Sequence, residues 1–87
     1  EQNVQNPFNP STAISFTLAE AGPAILEVFD IAGRRVRTLW SGHREAGYHT
    51  LTWDGRDDSD HELASGTYVC RLRTEEGELS RSMALVR

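Results

Sequence analysis

The stretch AISFTL, residues 13–18, alternates apolar and hydroxyl-bearing side chains without a break. Ile14, Phe16 and Leu18 point to one side of an extended chain, and Ser15 and Thr17 point to the other. Alternation with a period of two is typical of a strand with one buried face and one solvated face. The turn sequence EAGP follows at residues 20–23. This stretch therefore predicts a half-buried β-strand that ends in a turn.

Strand patterns continue to the end of the chain and are separated by turn sequences. We predict five further strands, at residues 24–30, 34–40, 48–53, 67–73 and 79–86. Val36 and Leu39 are three residues apart, which breaks the period of two and predicts a β-bulge or a strand end between them. Residues 41–47 are predicted to form a polar connection. No helical period is sustained anywhere in the sequence.

The prolines of the lead-in segment NPFNPST, residues 6–12, exclude a helix there. This segment, or the region near Leu63, supplies a candidate seventh strand. Short strands with regularly spaced turns predict an all-β fold, an immunoglobulin-like (fibronectin III-like) antiparallel β-sandwich of about seven strands. A closed barrel is the alternative. The length of 87 residues predicts a single domain over residues 1–87.

Alternation also predicts which side chains face the core. The expected inward set is Leu26, Val28, His49, Leu51, Trp53, Tyr68, Cys70, Leu72, Met83 and Leu85. Glu27 is expected to point outward. Ile25 and Phe29 share that outer face, which predicts that this face is partly covered or forms a contact. The pair Asp30 and Gly33 is expected to close a hairpin, because Asp bonds the backbone two residues on and Gly accepts a positive φ.

Composition excludes several classes of protein. The formal net charge is −4, which argues against a nucleic-acid partner. All nine basic residues are arginine, and the single cysteine, Cys70, excludes an internal disulfide. No apolar run approaches the roughly 18 residues that a transmembrane helix needs.

Candidate metal ligands are concentrated in the acidic loop at residues 54–62. Asp54, Asp57, Asp58 and Asp60 could supply oxygen ligands to Ca²⁺, but their spacing does not match an EF-hand. A solvated turn is the preferred interpretation, with calcium as the alternative. We therefore predict no cofactor apart from this calcium alternative.

The histidines, the cysteine and the aromatic residues give no enzymatic pattern. His43, His49 and His61 lie on three separate segments, which disfavours a zinc site. Cys70 lies mid-strand on the inward face, as an inert buried cysteine does. The sequence thus predicts no catalytic residue and no enzyme.

The aromatic residues offer one ligand hypothesis. Trp40, Tyr48 and Trp53 could form a sugar-stacking platform, but Trp53 is better explained as a core residue. Trp40 lies at a predicted strand end and is the one expected to be exposed. It is therefore the aromatic candidate for partner binding.

An ordered set of motifs connects this chain to known families. The set consists of NPFNPST at 6–12, Asp30-x-x-Gly33-Arg34-x-Val36-x-x-Leu39, Ala46-Gly47-x-His49, Trp53-Asp54-Gly55, Ser65-Gly66-x-Tyr68 and Met83-x-Leu85. It resembles the C-terminal sorting domain of the type IX secretion system, and equally the related immunoglobulin-like domain of the flagellar hook-capping protein. The resemblance covers nearly all of the chain.

The resemblance to the sorting domain implies a β-sandwich at the C-terminus of a secreted or cell-surface protein of a Gram-negative bacterium. It implies that the domain acts as the export signal or surface attachment module, with outer-membrane secretion machinery or cell-surface components as partners. Arg81 and Arg87 match basic positions of that family's last strand. With Met83, Leu85 and Trp40, they are the partner-binding candidates, and an unpaired last strand is a candidate for strand addition.

Two alternatives remain open at this stage. The chain could be a structural immunoglobulin-like module of an extracellular or flagellar hook assembly. It could also be an accessory carbohydrate- or calcium-binding module of a secreted hydrolase.

Overall fold

Two antiparallel sheets face each other across an apolar layer in residues 11–86, the range described in this computed structural model. The strands are β1 (Thr12–Leu18), β2 (Gly22–Phe29), β3 (Arg35–Arg44), β4 (Gly47–Trp53), β5 (Gly66–Thr74) and β6 (Gly77–Leu85). β1 and β4 form one sheet, and the other has the order β3-β2-β5-β6. The predicted antiparallel sandwich is confirmed, and the separate sheets exclude a closed barrel for this range.

The strand count differs slightly from the sequence-based expectation. Residues 11–86 contain six strands rather than about seven. Leu63, the region of one candidate seventh strand, lies outside the strands and packs against the core. Residues 6–10 of the lead-in segment, the other candidate for a seventh strand, lie outside the described residues. No helix long and apolar enough to cross a bilayer occurs within residues 11–86.

The core follows the predicted alternation of the strands. It consists of Ile14, Phe16, Leu18, Ala24, Leu26, Val28, Trp40, Trp53, Tyr68, Cys70, Leu72 and Leu85, with Val36, Leu39, Leu51, Leu63 and Met83 packed against it. Trp53 is fully buried, and its ring meets that of Tyr68 edge-on with the centroids 5.2 Å apart. Burial of large apolar side chains is the main source of stability in a domain of this size.

Strand β3 departs most from the prediction. The predicted connection at 41–47 is wrong, because β3 continues to Arg44 and pairs with the start of β2 up to Gly22↔Arg44. The predicted bulge is confirmed: Leu26 and Glu27 pair with Trp40 and Thr38, which leaves Leu39 as an extra residue. A second irregularity, at Val28/Phe29, leaves Val36 as a further extra residue. Bulges increase the local twist and change which side chains face inward.

The turn between β2 and β3 forms as predicted. The Asp30 carboxylate accepts hydrogen bonds from the backbone N–H of Ala32 at 3.0 Å and of Arg34 at 2.9 Å. Gly33 has a φ of 88°, a conformation that side chains with a Cβ rarely adopt. The turn therefore fixes the register that brings Arg35 opposite Phe29.

Candidate interaction surfaces

A buried carboxylate lies on the outer face of the four-stranded sheet. Alternation along β2 places Glu27 on that face as predicted, yet Glu27 is only 3% exposed. Its Oε1 lies 3.0 Å from Nη2 of Arg71 and 3.6 Å from Nη2 of Arg73, and its Oε2 lies 3.5 Å from Nη1 of Arg35. Three arginine side chains therefore cover Glu27, which agrees with the predicted partial cover of this outer face.

Sheet register brings these side chains together. In the antiparallel pairing of β2 with β5, Glu27 lies opposite Arg71, and Ile25 lies opposite Arg73. Residues directly opposite each other point to the same face of a sheet, and so do residues two positions apart on one strand. Arg35 arrives from β3 on the other side of β2. The cluster thus depends on pairings between distant parts of the chain.

Opposing electrostatic effects act on the Glu27 carboxyl. Burial raises its pKa, because a charged carboxylate loses hydration in the sheet. The hydrogen bond from Arg71 and the positive charges of Arg71 and Arg73 outweigh burial, so that the pKa lies below its ordinary value of 4.5. Glu27 is therefore ionised at neutral pH and fixes the surrounding guanidinium groups.

Apolar side chains flank the arginines on the same face. The Arg71 guanidinium lies 4.5 Å from the centre of the Phe29 ring, a cation–π contact. Ile25, Phe29 and Val69 are half-buried, which agrees with the predicted partial cover of this face. We call this surface the arginine face and define it by Ile25, Glu27, Phe29, Arg35, Val69, Arg71 and Arg73.

Strand β6 is an edge of the four-stranded sheet, as proposed for the last strand. Exposed Arg81 reaches across to β1, where its Nη1 donates to the Ser15 carbonyl at 3.2 Å. The Thr12 hydroxyl donates to the Ala84 carbonyl at 3.4 Å. Side chains therefore connect the two sheets at this edge.

The partner-binding candidates on β6 have different positions. Leu85 is a core residue, which corrects the expectation that it offers a contact. Met83 is half-buried against the core. Arg81 remains a surface candidate, and Arg87 lies outside the described residues.

The acidic loop is held by bonds to its own backbone and to β3. Asp57 Oδ1 accepts from the backbone N–H groups of Ser59 and His61, each at 2.9 Å. Asp58 Oδ1 accepts from the Thr38 N–H at 3.0 Å, and the Asp58 N–H donates to the Val36 carbonyl at 2.9 Å. The loop therefore covers the outer edge of β3.

Two of the calcium candidates in this loop, Asp54 and Asp60, lie around the Arg56 side chain. The Asp54 carboxylate accepts from the Arg56 N–H at 3.1 Å, and Asp60 Oδ1 lies 3.9 Å from Arg56 Nη1. Within residues 11–86, no three His, Cys, Asp or Glu side chains form a group that could hold a metal ion. The geometry thus favours the solvated turn, and the calcium alternative stays an untested prediction.

The predicted exposure of Trp40 is wrong. Because β3 continues beyond it, Trp40 lies mid-strand and points inward, 9% exposed, with its ring 5.5 Å from that of Phe16. The guanidinium carbon of Arg44 lies over the Trp40 indole, 4.2 Å from the centre of the ring. Trp53 is also buried, and Tyr48 alone of the proposed sugar platform is exposed. The three aromatic side chains therefore form no stacking platform.

The cysteine and the histidines occupy different environments. Cys70 is buried in the core, and burial raises the pKa of its thiol despite the nearby charge of Arg81. His49 stacks on Phe16 at 5.4 Å, and its Nε2 lies 2.7 Å from the Glu45 carbonyl oxygen. His43 and His61 are exposed and contact Glu45 and Asp57. None of these contacts joins the Cys70 thiol to a histidine base.

Fold and surfaces together define a small β-sandwich whose most developed feature is a charged sheet face. The sequence model of the FlgD Ig-like domain matches residues 3–78. The chain therefore belongs to the family of FlgD Ig-like domains, which identifies the sandwich as immunoglobulin-like.

Curated relatives agree with this assignment. The basal-body rod modification protein FlgD of Salmonella typhimurium (strain LT2) is 38% identical over 50 residues, which cover 58% of this chain and 22% of that protein. The FlgD of Salmonella typhi matches to the same extent. The matched region is thus less than a quarter of these relatives' length.

Solved structures of FlgD proteins share the fold. FlgD from P. aeruginosa superposes with a TM-score of 0.67 at 26% identity, over 86% of this chain and 57% of that one. FlgD from Xanthomonas campestris, described in terms of the hook capping essential for flagellar assembly, superposes with a TM-score of 0.62 at 24% identity. The match covers 88% of this chain and 56% of that one. A truncated FlgD from Helicobacter pylori superposes with a TM-score of 0.65 at 16% identity, over 94% of this chain and 64% of that one. The latter two similarities concern the fold alone.

These comparisons correct the main functional expectation. Of the two families that the motifs resemble, the one that matches is that of the FlgD Ig-like domain. The interpretation as a type IX export signal recognised by outer-membrane secretion machinery is therefore wrong. The flagellar alternative, based on the same motifs, fits the comparisons better.

Proposed function

We propose that this chain is a non-catalytic structural module of a protein that acts in flagellar hook assembly, outside the cytoplasm. The match of residues 3–78 to the FlgD Ig-like domain family carries this proposal. The structure supports it with a fold that offers faces and edges for contact. The partners under this proposal are other components of the hook, which are cell-surface structures.

The chemistry of the described residues is consistent with a structural role. Cys70 is buried with a raised thiol pKa, which disfavours the nucleophilic thiolate. The groove at the β5–β6 turn, lined by Leu18, Leu72 and Leu79 among others, has a volume of about 270 Å³ and is open to solvent. Such a shallow groove excludes little water, which enzymes usually need to do.

A genetic test follows from this proposal. Deleting the codons for these 87 residues from the parent gene should abolish hook assembly, visible by electron microscopy, and with it motility. Restoring the intact gene should recover both. Hooks of normal number and length in the deletion strain would contradict the structural role.

A point variant separates structure from catalysis. Cys70→Ala removes the only thiol but keeps a small apolar side chain in the core. It should support normal hooks if the protein melts within a few degrees of wild type. A variant that folds normally and yet abolishes assembly would contradict the non-catalytic role of Cys70.

A further inference from the structure

The arginine face combines positive charge with apolar surface on an outward-facing sheet. Three guanidinium groups surround the single buried carboxylate of Glu27. Glu78, an exposed carboxylate on β6, lies opposite Arg73 in the register. Positive charge therefore exceeds negative charge on this face, although the chain as a whole carries a net charge of −4.

The guanidinium groups retain unused hydrogen-bonding capacity. Each has several N–H donors in a planar fork. The Nε atoms of Arg71 and Arg73 are shielded from solvent and have no hydrogen-bond partner in the described part of the chain. The side chains of Arg35, Arg71 and Arg73 are nevertheless 57%, 29% and 41% exposed. Guanidinium groups on partly exposed side chains bind a carboxylate more strongly than they bind a neutral acceptor.

We propose that the arginine face is a docking surface for an acidic protein segment that sets a carboxylate between Arg35, Arg71 and Arg73 and packs apolar side chains on Phe29, Ile25 and Val69. Glu27 holds the guanidinium groups in place before binding, so less conformational entropy is lost when the partner docks. This inference rests on the proposed function, because a structural module acts by binding other proteins through its surfaces.

Charge and composition favour an acidic protein over other occupants. A nucleic acid is a polyanion and binds to a broad basic surface. This chain has a net charge of −4, so the rest of its surface would repel a nucleic acid. Arginine and aromatic residues at the centre of a patch are typical of protein interfaces. Guanidinium forks bind carboxylates in a bidentate manner that isolated point charges do not reproduce.

The test is an NMR titration of the 87-residue chain with a short soluble peptide of glutamate and phenylalanine residues. A peptide of the same length with glutamine in place of glutamate is the control. We expect the acidic peptide to shift the Nε–Hε signals of Arg35, Arg71 and Arg73 and the amide signals around Phe29. Raising the salt concentration from about 50 mM to about 500 mM should weaken binding, because exposed charges are screened.

Matched variants locate the binding site. The double variant Arg35→Gln with Arg73→Gln leaves the short Arg71–Glu27 bond intact, so the fold should survive. It should bind the peptide at least about fivefold more weakly, the scale expected for two partly exposed ion pairs. Arg34→Gln is the control, because Arg34 pairs with Asp30 in the turn and lies outside the arginine face. It should change the affinity by less than about twofold.

Several outcomes would overturn the inference. Equal binding of the glutamine peptide, or shifts concentrated elsewhere on the chain, would do so. Heparin shifting the same arginine signals while the acidic peptide does not would indicate a polyanion site instead. Sedimentation showing that the double variant abolishes self-association of the chain, with no peptide binding, would indicate a second copy as the occupant. Because the titration needs no hook, its failure is distinct from failure of the genetic test.

Discussion

Replacing Glu27 by glutamine should destabilise the domain strongly for so conservative a change. The substitution keeps the size of the side chain but removes the charge that faces Arg35, Arg71 and Arg73 at 3.5, 3.0 and 3.6 Å. Hydrogen bonds to charged groups contribute about 1.5–3 kcal/mol, and partial exposure of the three arginines reduces the contribution of their ion pairs. We expect a loss of about 2 kcal/mol in the free energy of unfolding, which lowers Tm by about 10 °C in a domain of this size.

The pH dependence of this loss provides a second readout. Because the folded-state pKa of Glu27 lies below 4.5, the unfolded chain takes up this proton first as the pH falls. The stabilisation by Glu27 is therefore complete well above pH 4.5 and disappears as the pH falls through the folded-state pKa. The difference between wild type and Glu27→Gln should be largest near neutral pH and shrink in acid.

Urea unfolding followed by circular dichroism at neutral and acidic pH measures both effects. Glu20→Gln is the matched control, since it removes the same charge from an exposed position in the β1–β2 turn and should shift Tm by no more than about 1 °C. If Glu27→Gln were as stable as wild type at neutral pH, or if its deficit persisted unchanged in acid, the assignment of Glu27 as the stabilising counter-charge would be refuted.

Three further predictions concern the core, a turn and the thiol. Trp53→Phe should cost about 2 kcal/mol, because it leaves a cavity and removes the 3.0 Å bond from the indole Nε1 to the Arg56 carbonyl, and chemical denaturation would measure the loss. Gly33→Ala should cost about 1 kcal/mol through backbone strain alone, since apart from its chain neighbours no described residue comes within 4 Å of the added methyl group; an unchanged Tm would contradict this explanation. Cys70 should not react with a thiol reagent near pH 8 in the folded domain and should react fully in denaturant, because burial raises its pKa; rapid labelling of the native protein would disagree.

Local alternation was sufficient to predict most of the sandwich. The inward positions of Phe16, Tyr68 and Leu72 follow directly from the pleat of a strand, whatever lies opposite. The Asp30–Gly33 turn was equally predictable, because its hydrogen bonds are made within a few residues. Strand alternation and turn hydrogen bonds depend on residues that are close together along the chain, so both can be predicted from the sequence alone.

Features that depend on distant pairing were missed. Ser41, Gly42 and His43 resemble a loop, but pairing with the start of β2 makes them part of a strand. Because β3 extends past Trp40, this residue lies in the core rather than at an exposed strand end as predicted. Pro23 is tolerated in this region because it pairs with β3 alone, before the pairing with β5 begins at Ala24.

The candidate site was the least predictable part of the molecule. The sequence indicated that the face of Ile25 and Phe29 is partly covered, but not what covers it. Arg71 is 44 residues from Glu27, so only the sheet register shows that the two side chains meet. In contrast, the acidic loop was conspicuous in sequence because its carboxylates are close together along the chain. In the structure these carboxylates mainly fix the loop itself.

The contacts of Asp58 with Thr38 and Val36 give the larger sheet two unlike margins. The loop takes up main-chain groups of β3, whereas at β6 the Thr12 hydroxyl of β1 takes up the Ala84 carbonyl. An incoming extended segment therefore meets main-chain groups that are already bonded at each margin. The two margins are covered by different elements, the acidic loop at β3 and strand β1 at β6, so they offer different main-chain groups to a neighbouring strand. Cover at both margins in this way disfavours uncontrolled edge-to-edge association of such domains.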